Sequence, residues 1–105
     1  MNQIGATHSQ RMLISACLDN GISFFWRGPG TLLIDRSGLD TILPVVIAAG
    51  ATILGFEGFE MESTDIHPRL DLIFDASRRP DILNPSDAIS DWPSGVWVDV
   101  AMSSQ

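Results

Sequence analysis

The chain has 105 residues, 45% of them hydrophobic, which suits one folded domain and argues against disorder. Thirteen acidic residues outweigh six arginines, lysine is absent, and the formal net charge is −7. Because phosphate recognition requires a basic patch, this balance argues against nucleic acid or an anionic membrane surface as a partner. A basic protein is the partner that the composition favours.

The negative charge is concentrated in the second half of the chain. Up to Phe56, three acids and three arginines cancel, whereas ten acids and three arginines follow from Glu57 onward. A solvated surface accounts for such a distribution, and so does a dedicated acidic face for a cationic partner.

The first predicted element is a helix from about His8 to Asn20. Thr7 and Gln10 have the spacing of a capping box, and Gly21 is a suitable terminator. The apolar face of this helix includes Cys17, which we therefore expect in the core.

The single cysteine excludes an internal disulfide framework and suits a reducing cytosol. The N-terminus lacks a basic segment followed by an apolar run, so no signal peptide is expected. The largely apolar stretch 41–56 is shorter than the ~20 residues of a membrane span. We predict a cytoplasmic protein.

Two strand-like runs, Ile22 to Arg27 and Thr31 to Asp35, predict a first hairpin, joined by the Gly-Pro-Gly turn at 28–30. A second helix follows. Since proline is tolerated only near a helix start, we expect Asp40 as its cap, with Pro44 at the fourth helical position. Gly50 ends the helix, and residues 51–59 form the most buried strand.

The stretch from Thr52 to Ser77 is the centre of the chain and is interpreted as a second hairpin around a polar turn at 62–68. In its second run, Leu70, Leu72 and Phe74 point one way. Arg69, Asp71, Ile73 and Asp75 point the other, which favours a strand. A short helix beginning at Pro68 is the alternative.

The end of the chain predicts a short helix and a last strand. Asn84 and Pro85 are typical of a helix start, with the helix running to about Asp91. Valines alternate with Trp97, Asp99 and Ala101, which indicates a strand to about Met102. Together, these elements predict that residues 1–105 form a single α+β domain, with a mainly antiparallel sheet of four to five strands packed with two to three helices.

Catalytic signals are sparse. His67 with Asp65 and Asp71 matches no metal-ligand spacing, and no serine or cysteine nucleophile motif is present. We therefore predict no enzyme, no cofactor, no metal and no small-molecule substrate. A small hydrolase or isomerase using His67, Asp71 and Asp75 is one alternative, and an acidic regulatory interaction module is another.

The predicted binding residues combine the densest acids with tryptophans near the C-terminus. Tryptophan among acids is typical of protein-binding hot spots, although packing across the end of the sheet explains it equally well. Like charges on one strand face repel, and a cationic partner would relieve that repulsion. The predicted partner-binding residues are Glu57, Glu60, Glu62, Asp65, Asp71, Asp75, Trp92 and Trp97.

The segment GFEGFEMESTDIHPRLDLIFDAS, with its acidic surroundings, resembles the small immunity proteins of bacterial contact-dependent growth-inhibition and colicin-like systems. The resemblance rests on Gly55 to Phe59, His67-Pro68 and the run from Leu70 to Asp75. It implies a short cytosolic protein that blocks a toxin's nuclease domain, an RNase or a DNase. The basic substrate channel of such a nuclease suits an acidic face.

Overall fold

The structure, a computed structural model, describes residues 5–28, 30–63 and 65–103. Its first helix, α1 (His8–Asn20), has the predicted bounds. The Thr7 hydroxyl accepts a hydrogen bond from the Gln10 amide, the Gln10 side chain accepts one from the Thr7 amide, and the capping box is confirmed. Gly21 ends the helix at φ 67°, a left-handed conformation that favours glycine.

Five strands form one sheet in which every neighbouring pair is antiparallel, in the order β1-β2-β5-β3-β4. The α+β prediction is confirmed. The strands are β1 (Phe24–Trp26), β2 (Leu32–Asp35), β3 (Thr52–Glu62), β4 (Asp65–Asp75) and β5 (Trp97–Ser103). The other helices are α2 (Leu39–Ala48) and α3 (Pro85–Ala88), with 3-10 turns at Arg36–Gly38 and Ala76–Arg78.

The predicted first hairpin is present, with strands shorter than the apolar runs. Its turn is held by hydrogen bonds from the Arg27 amide to the Thr31 carbonyl and from the Thr31 amide to the Gly28 carbonyl, 3.1 and 3.2 Å long. Pro29, which we placed in this turn, lies outside the described residues.

Helix α2 begins earlier than predicted. Asp35 caps the preceding 3-10 turn through the Ser37 amide, and the chain enters α2 at Leu39 with Gly38 as cap. The prediction of Asp40 as cap was therefore wrong, and Pro44 lies inside the helix. Pro44 is exposed, where a missing amide donor does not leave a polar group buried.

Strand β4 resolves the choice between strand and helix in favour of the strand, but the predicted turn at 62–68 was too long. The chain turns at Ser63, whose φ is 55°, and β4 already begins at Asp65. His67 and Pro68 are strand residues, opposite Glu60 and Phe59. Since β4 is an edge strand, a proline there removes no interior ladder bond.

The predicted alternation of β4 fails at Leu70, which is 80% exposed, while Leu72 and Phe74 are buried. The physical reason is an irregularity in the pairing. Ile73 lies opposite Glu57 and Arg69 lies opposite Gly58, so the intervening residues of β4 bulge out of the ladder. A bulge resets the side-chain alternation and moves Leu70 into solvent.

Helix α3 spans four residues instead of the seven predicted. Its predicted cap is confirmed, because the Asn84 side chain accepts a hydrogen bond from the Ser86 amide at 3.1 Å. Arg36 fixes the following segment from inside the molecule. Its guanidinium donates two hydrogen bonds to the Ile89 carbonyl at 3.1 and 2.8 Å and is buried.

The core lies on one side of the sheet. Side chains of α1 and α2 pack there with Ile89 and with alternate residues of the strands, including Ile34, Phe56 and Val98. Cys17 belongs to this core, as predicted, and is fully buried. No helix among the described residues is long and apolar enough to cross a membrane.

Candidate protein-binding surface

The side of the sheet opposite the core has no helix packed on it within the described chain. We call it the open face. Its residues follow from strand alternation and register, since their neighbours in sequence point into the core. The open face includes Phe25, Leu33, Asp35, Gly55, Glu57, Phe59, Ile73, Asp75, Trp97, Asp99 and Ala101.

The centre of the open face is a pair of carboxylates beside a pair of aromatic residues. Glu57 on β3 lies directly opposite Asp99 on β5, and two residues further along Phe59 lies opposite Trp97. Residues opposite each other in an antiparallel ladder have Cβ atoms about 4.5–5.5 Å apart. The sheet therefore holds two like charges side by side, next to half-buried aromatic surface.

Asp99 is the most perturbed carboxyl group on this surface. Burial in the sheet raises the pKa of Asp99 to about 6, and the neighbouring Glu57 carboxylate adds to the increase. Neither carboxylate has a hydrogen-bond or ion-pair partner within the described chain. Asp99 is thus partly removed from water without a counter-charge.

Two of the predicted binding acids are already paired inside the protein. The Arg69 guanidinium donates two hydrogen bonds to the Asp71 carboxylate, 2.9 and 2.8 Å long, and a third to Glu60 at 2.8 Å. Hydrogen bonding from Arg69 lowers the pKa of Asp71 below its usual value. This arginine bridges the bulge of β4, so Glu60 and Asp71 together present one uncompensated negative charge instead of two.

Asp75 also has a local partner. Its carboxylate accepts hydrogen bonds from the Ser77 hydroxyl and amide, at 2.7 and 3.0 Å, and caps the 3-10 turn. The hydrogen bond from the Ser77 side chain is the main reason that the pKa of Asp75 is lowered. The repulsion that we expected between Asp71 and Asp75 is thus offset for each by its own donors.

The remaining predicted acids of the hairpin, Glu62 and Asp65, lie at its tip. They are opposite each other at the last pair of the β3–β4 ladder, and both are exposed. They lie at the far end of the hairpin from Asp75, which is opposite Gly55. The predicted acids therefore do not form one contiguous face.

The two tryptophans of the predicted hot spot lie on different sides of the sheet. Trp92 packs against the core, with its ring edge-on to Phe56 at a centroid distance of 6.4 Å. Trp97 lies on the open face opposite Phe59. Of the eight predicted binding residues, the open face contains Glu57, Asp75 and Trp97.

The residues of the alternative catalytic hypothesis are not brought together. Asp71 is bound to Arg69, Asp75 is bound to Ser77, and His67 is an exposed residue opposite Glu60. Among the described residues, no group of three or more His, Cys, Asp and Glu side chains is arranged to hold a metal ion.

Sequence reasoning missed Asp99 and Phe59 as surface partners of Glu57 and Trp97. The alternation of valines with Trp97, Asp99 and Ala101 did place Asp99 on the face of Trp97. Its position beside Glu57 depends on the pairing of β5 with β3, two strands that are far apart in the chain. The register between two such distant strands cannot be predicted from the local sequence pattern of either strand.

Comparison of the chain with protein-family models, with curated proteins and with solved structures finds no match.

Proposed function

We propose that this protein is a non-catalytic immunity protein, which binds and neutralises the cationic nuclease domain of a toxin. The toxin part of the proposal comes from the resemblance of the central hairpin to immunity proteins. The inference that the partner is cationic comes from the negative net charge of the chain, and one structural observation supports it best.

That observation is the ion pairing of the arginines. In the second half of the chain Arg69, Arg78 and Arg79 each form an ion pair with a carboxylate of the same protein. Six other carboxylates of this half have no ion pair within the described residues: Glu57, Glu62, Asp65, Asp87, Asp91 and Asp99.

In this half of the chain every arginine is therefore paired internally, and the remaining carboxylates leave a surplus of negative charge. Such a surplus attracts a basic protein over distances of the Debye length, about 8 Å at physiological salt. A nuclease domain, whose surface must bind phosphates, has the complementary charge. Solubility alone would also benefit from the acids, so the proposal needs a functional test.

The test is co-expression with the C-terminal domain of the protein encoded directly upstream. We expect cells producing that domain to stop growing, and cells producing both proteins to grow. A catalytically inactive toxin domain is the matched control, because it separates toxicity from expression burden. Failure of the soluble protein to restore growth would contradict the proposal.

A further inference from the structure

The open face has the composition of an interface and not of an ordinary solvated sheet surface. Phe25, Phe59 and Trp97 are half-buried on it, and Ile73 remains 56% exposed. Leu33 also points to this side, but it is buried and adds no exposed surface. Aromatic residues surrounded by polar groups are enriched at the centres of protein–protein interfaces.

A shallow pocket of about 240 Å³ opens at the carboxylate pair. Leu54, Ile73 and Ala101 contribute apolar walls, and the acids of the lining are Glu57, Asp75 and Asp99. Sites for small ligands are usually larger, about 300–1,000 Å³, and enclose most of the ligand. The size and the open shape of this pocket suit one long side chain that reaches in from another protein.

The charge around the pocket specifies that side chain. Glu57 faces Asp99 from β3, Asp35 on β2 lies opposite Trp97, and Asp75 on β4 lies opposite Gly55. Of these, Asp75 lines the pocket and already has a counter-charge, because its carboxylate is 3.7 Å from the Arg78 guanidinium. A lysine or arginine placed between Glu57 and Asp99 would relieve their repulsion and supply the counter-charge that both lack.

We propose that the open face is the docking surface for a cationic protein, which inserts a lysine or arginine into the pocket at Glu57 and Asp99. Trp97 and Phe59, on the other side of this carboxylate pair, then contact the surrounding surface of the partner. This inference rests on the proposed function and specifies its surface. It replaces the hairpin acids Glu60 and Asp71, which already share Arg69 as a counter-charge. A second copy of this chain is disfavoured as the occupant, because two acidic open faces repel each other.

The experiment uses the peptide acetyl-Arg-Gly-Arg-Gly-Arg-amide as a probe in a low-salt NMR titration of the full chain. We expect saturable amide shifts at Glu57, Phe59, Trp97 and Asp99. The double variant E57Q/D99N should weaken binding by about two- to tenfold, as expected for the loss of two partly exposed ion pairs. Both substitutions preserve side-chain shape, and the spectrum itself reports whether the fold is kept.

The matched control is E62Q/D65N, which removes the same two charges at the hairpin tip. It should weaken peptide binding less than twofold. Equal or greater weakening by the control would overturn the assignment of the open face. Absence of saturable shifts there, or self-association of the free protein through that face in sedimentation experiments, would overturn it as well.

A pH series adds a readout specific to Asp99. Arginine does not titrate in this range, so peptide affinity should fall as the pH is lowered from 7 to 5 and Asp99 becomes protonated. Asp99→Asn should flatten that dependence. An unchanged pH dependence in the variant would contradict the role of Asp99.

The growth assay distinguishes failure of this inference from failure of the proposed function. If E57Q/D99N still protects cells and E62Q/D65N does not, the open face is wrong and the immunity function stands. If the wild-type protein binds the peptide at the open face but protects no cell, the surface stands and the toxin assignment is wrong.

Discussion

Burial of the Cys17 side chain should suppress the reactivity of its thiol. It is fully buried in the core, and this burial raises the pKa of its thiol to about 11. Since the thiolate is the reactive form, the native protein should resist iodoacetamide at pH 8. After denaturation in urea, mass spectrometry should show complete alkylation. Rapid labelling of the native protein would place Cys17 at the surface and reopen thiol chemistry.

Asp99 lowers the stability of the folded protein at neutral pH, because partial burial destabilises its charged carboxylate. Its pKa is about 6 in the folded protein against an ordinary value of 3.8. Deprotonation therefore costs stability above pH 6, and the cost disappears as the pH falls toward 4.

Asp99→Asn should accordingly raise the free energy of unfolding at pH 7 by about 1 kcal/mol, a figure reduced for the partial exposure of the side chain. Urea denaturation of both proteins at pH 7 and pH 4 measures the difference, which should be largely lost at pH 4. A difference that is the same at both pH values would show that the carboxyl charge is not its cause.

Among the elements, β3 depends on glycine because neighbouring strands approach it closely. A Cβ at Gly55 would lie 2.5 Å from the Phe74 carbonyl oxygen, which belongs to the backbone and has little freedom to move. Gly55 also follows the irregularity in the pairing of β3 with β5. Gly55 thus lies at both a bulge and a close approach of two strands.

We expect Gly55→Ala to destabilise the protein by about 1–3 kcal/mol, the usual cost of overpacking. Gly95→Ala is the matched control, because its Cβ would meet no atom within 4 Å. Thermal and urea unfolding of both variants provide the comparison. Equal stability of the two variants would mean that β3 and β4 can separate at Gly55 without cost.

Structural features that depend on local sequence signals were predicted, whereas those that depend on long-range pairing were not. Helix α1 and the strand character of β4 follow from local signals, namely the capping box at Thr7 and the alternation that ends at Phe74. Leu70 was misplaced because a bulge resets alternation without any local sign. Asp99 was missed because its contact with Glu57 requires the long-range register of β5 on β3.

At the scale of the whole molecule, the charge distribution controls how fast a partner arrives. The formal net charge is −7, and its surplus lies in the second half of the chain. Long-range attraction accelerates association with a basic domain, and salt screens that attraction.

If the proposed function is correct, stopped-flow association with the C-terminal domain of the protein encoded directly upstream should slow by about tenfold between 20 and 150 mM salt. Dissociation should change much less, because the contacts of the bound state are short-range. An association rate that does not change with salt would contradict the claim that the acidic surface attracts the partner.

The central claim is that the protein neutralises a nuclease by binding and without turnover, and an inhibition titration tests it most directly. The purified protein is added to a fixed amount of the C-terminal domain of the protein encoded directly upstream, and residual nuclease activity is measured. We predict a linear fall to zero at one molar equivalent, since each inhibitor molecule occupies one enzyme. Full activity at excess inhibitor would contradict the claim, and so would complete inactivation by a small fraction of an equivalent.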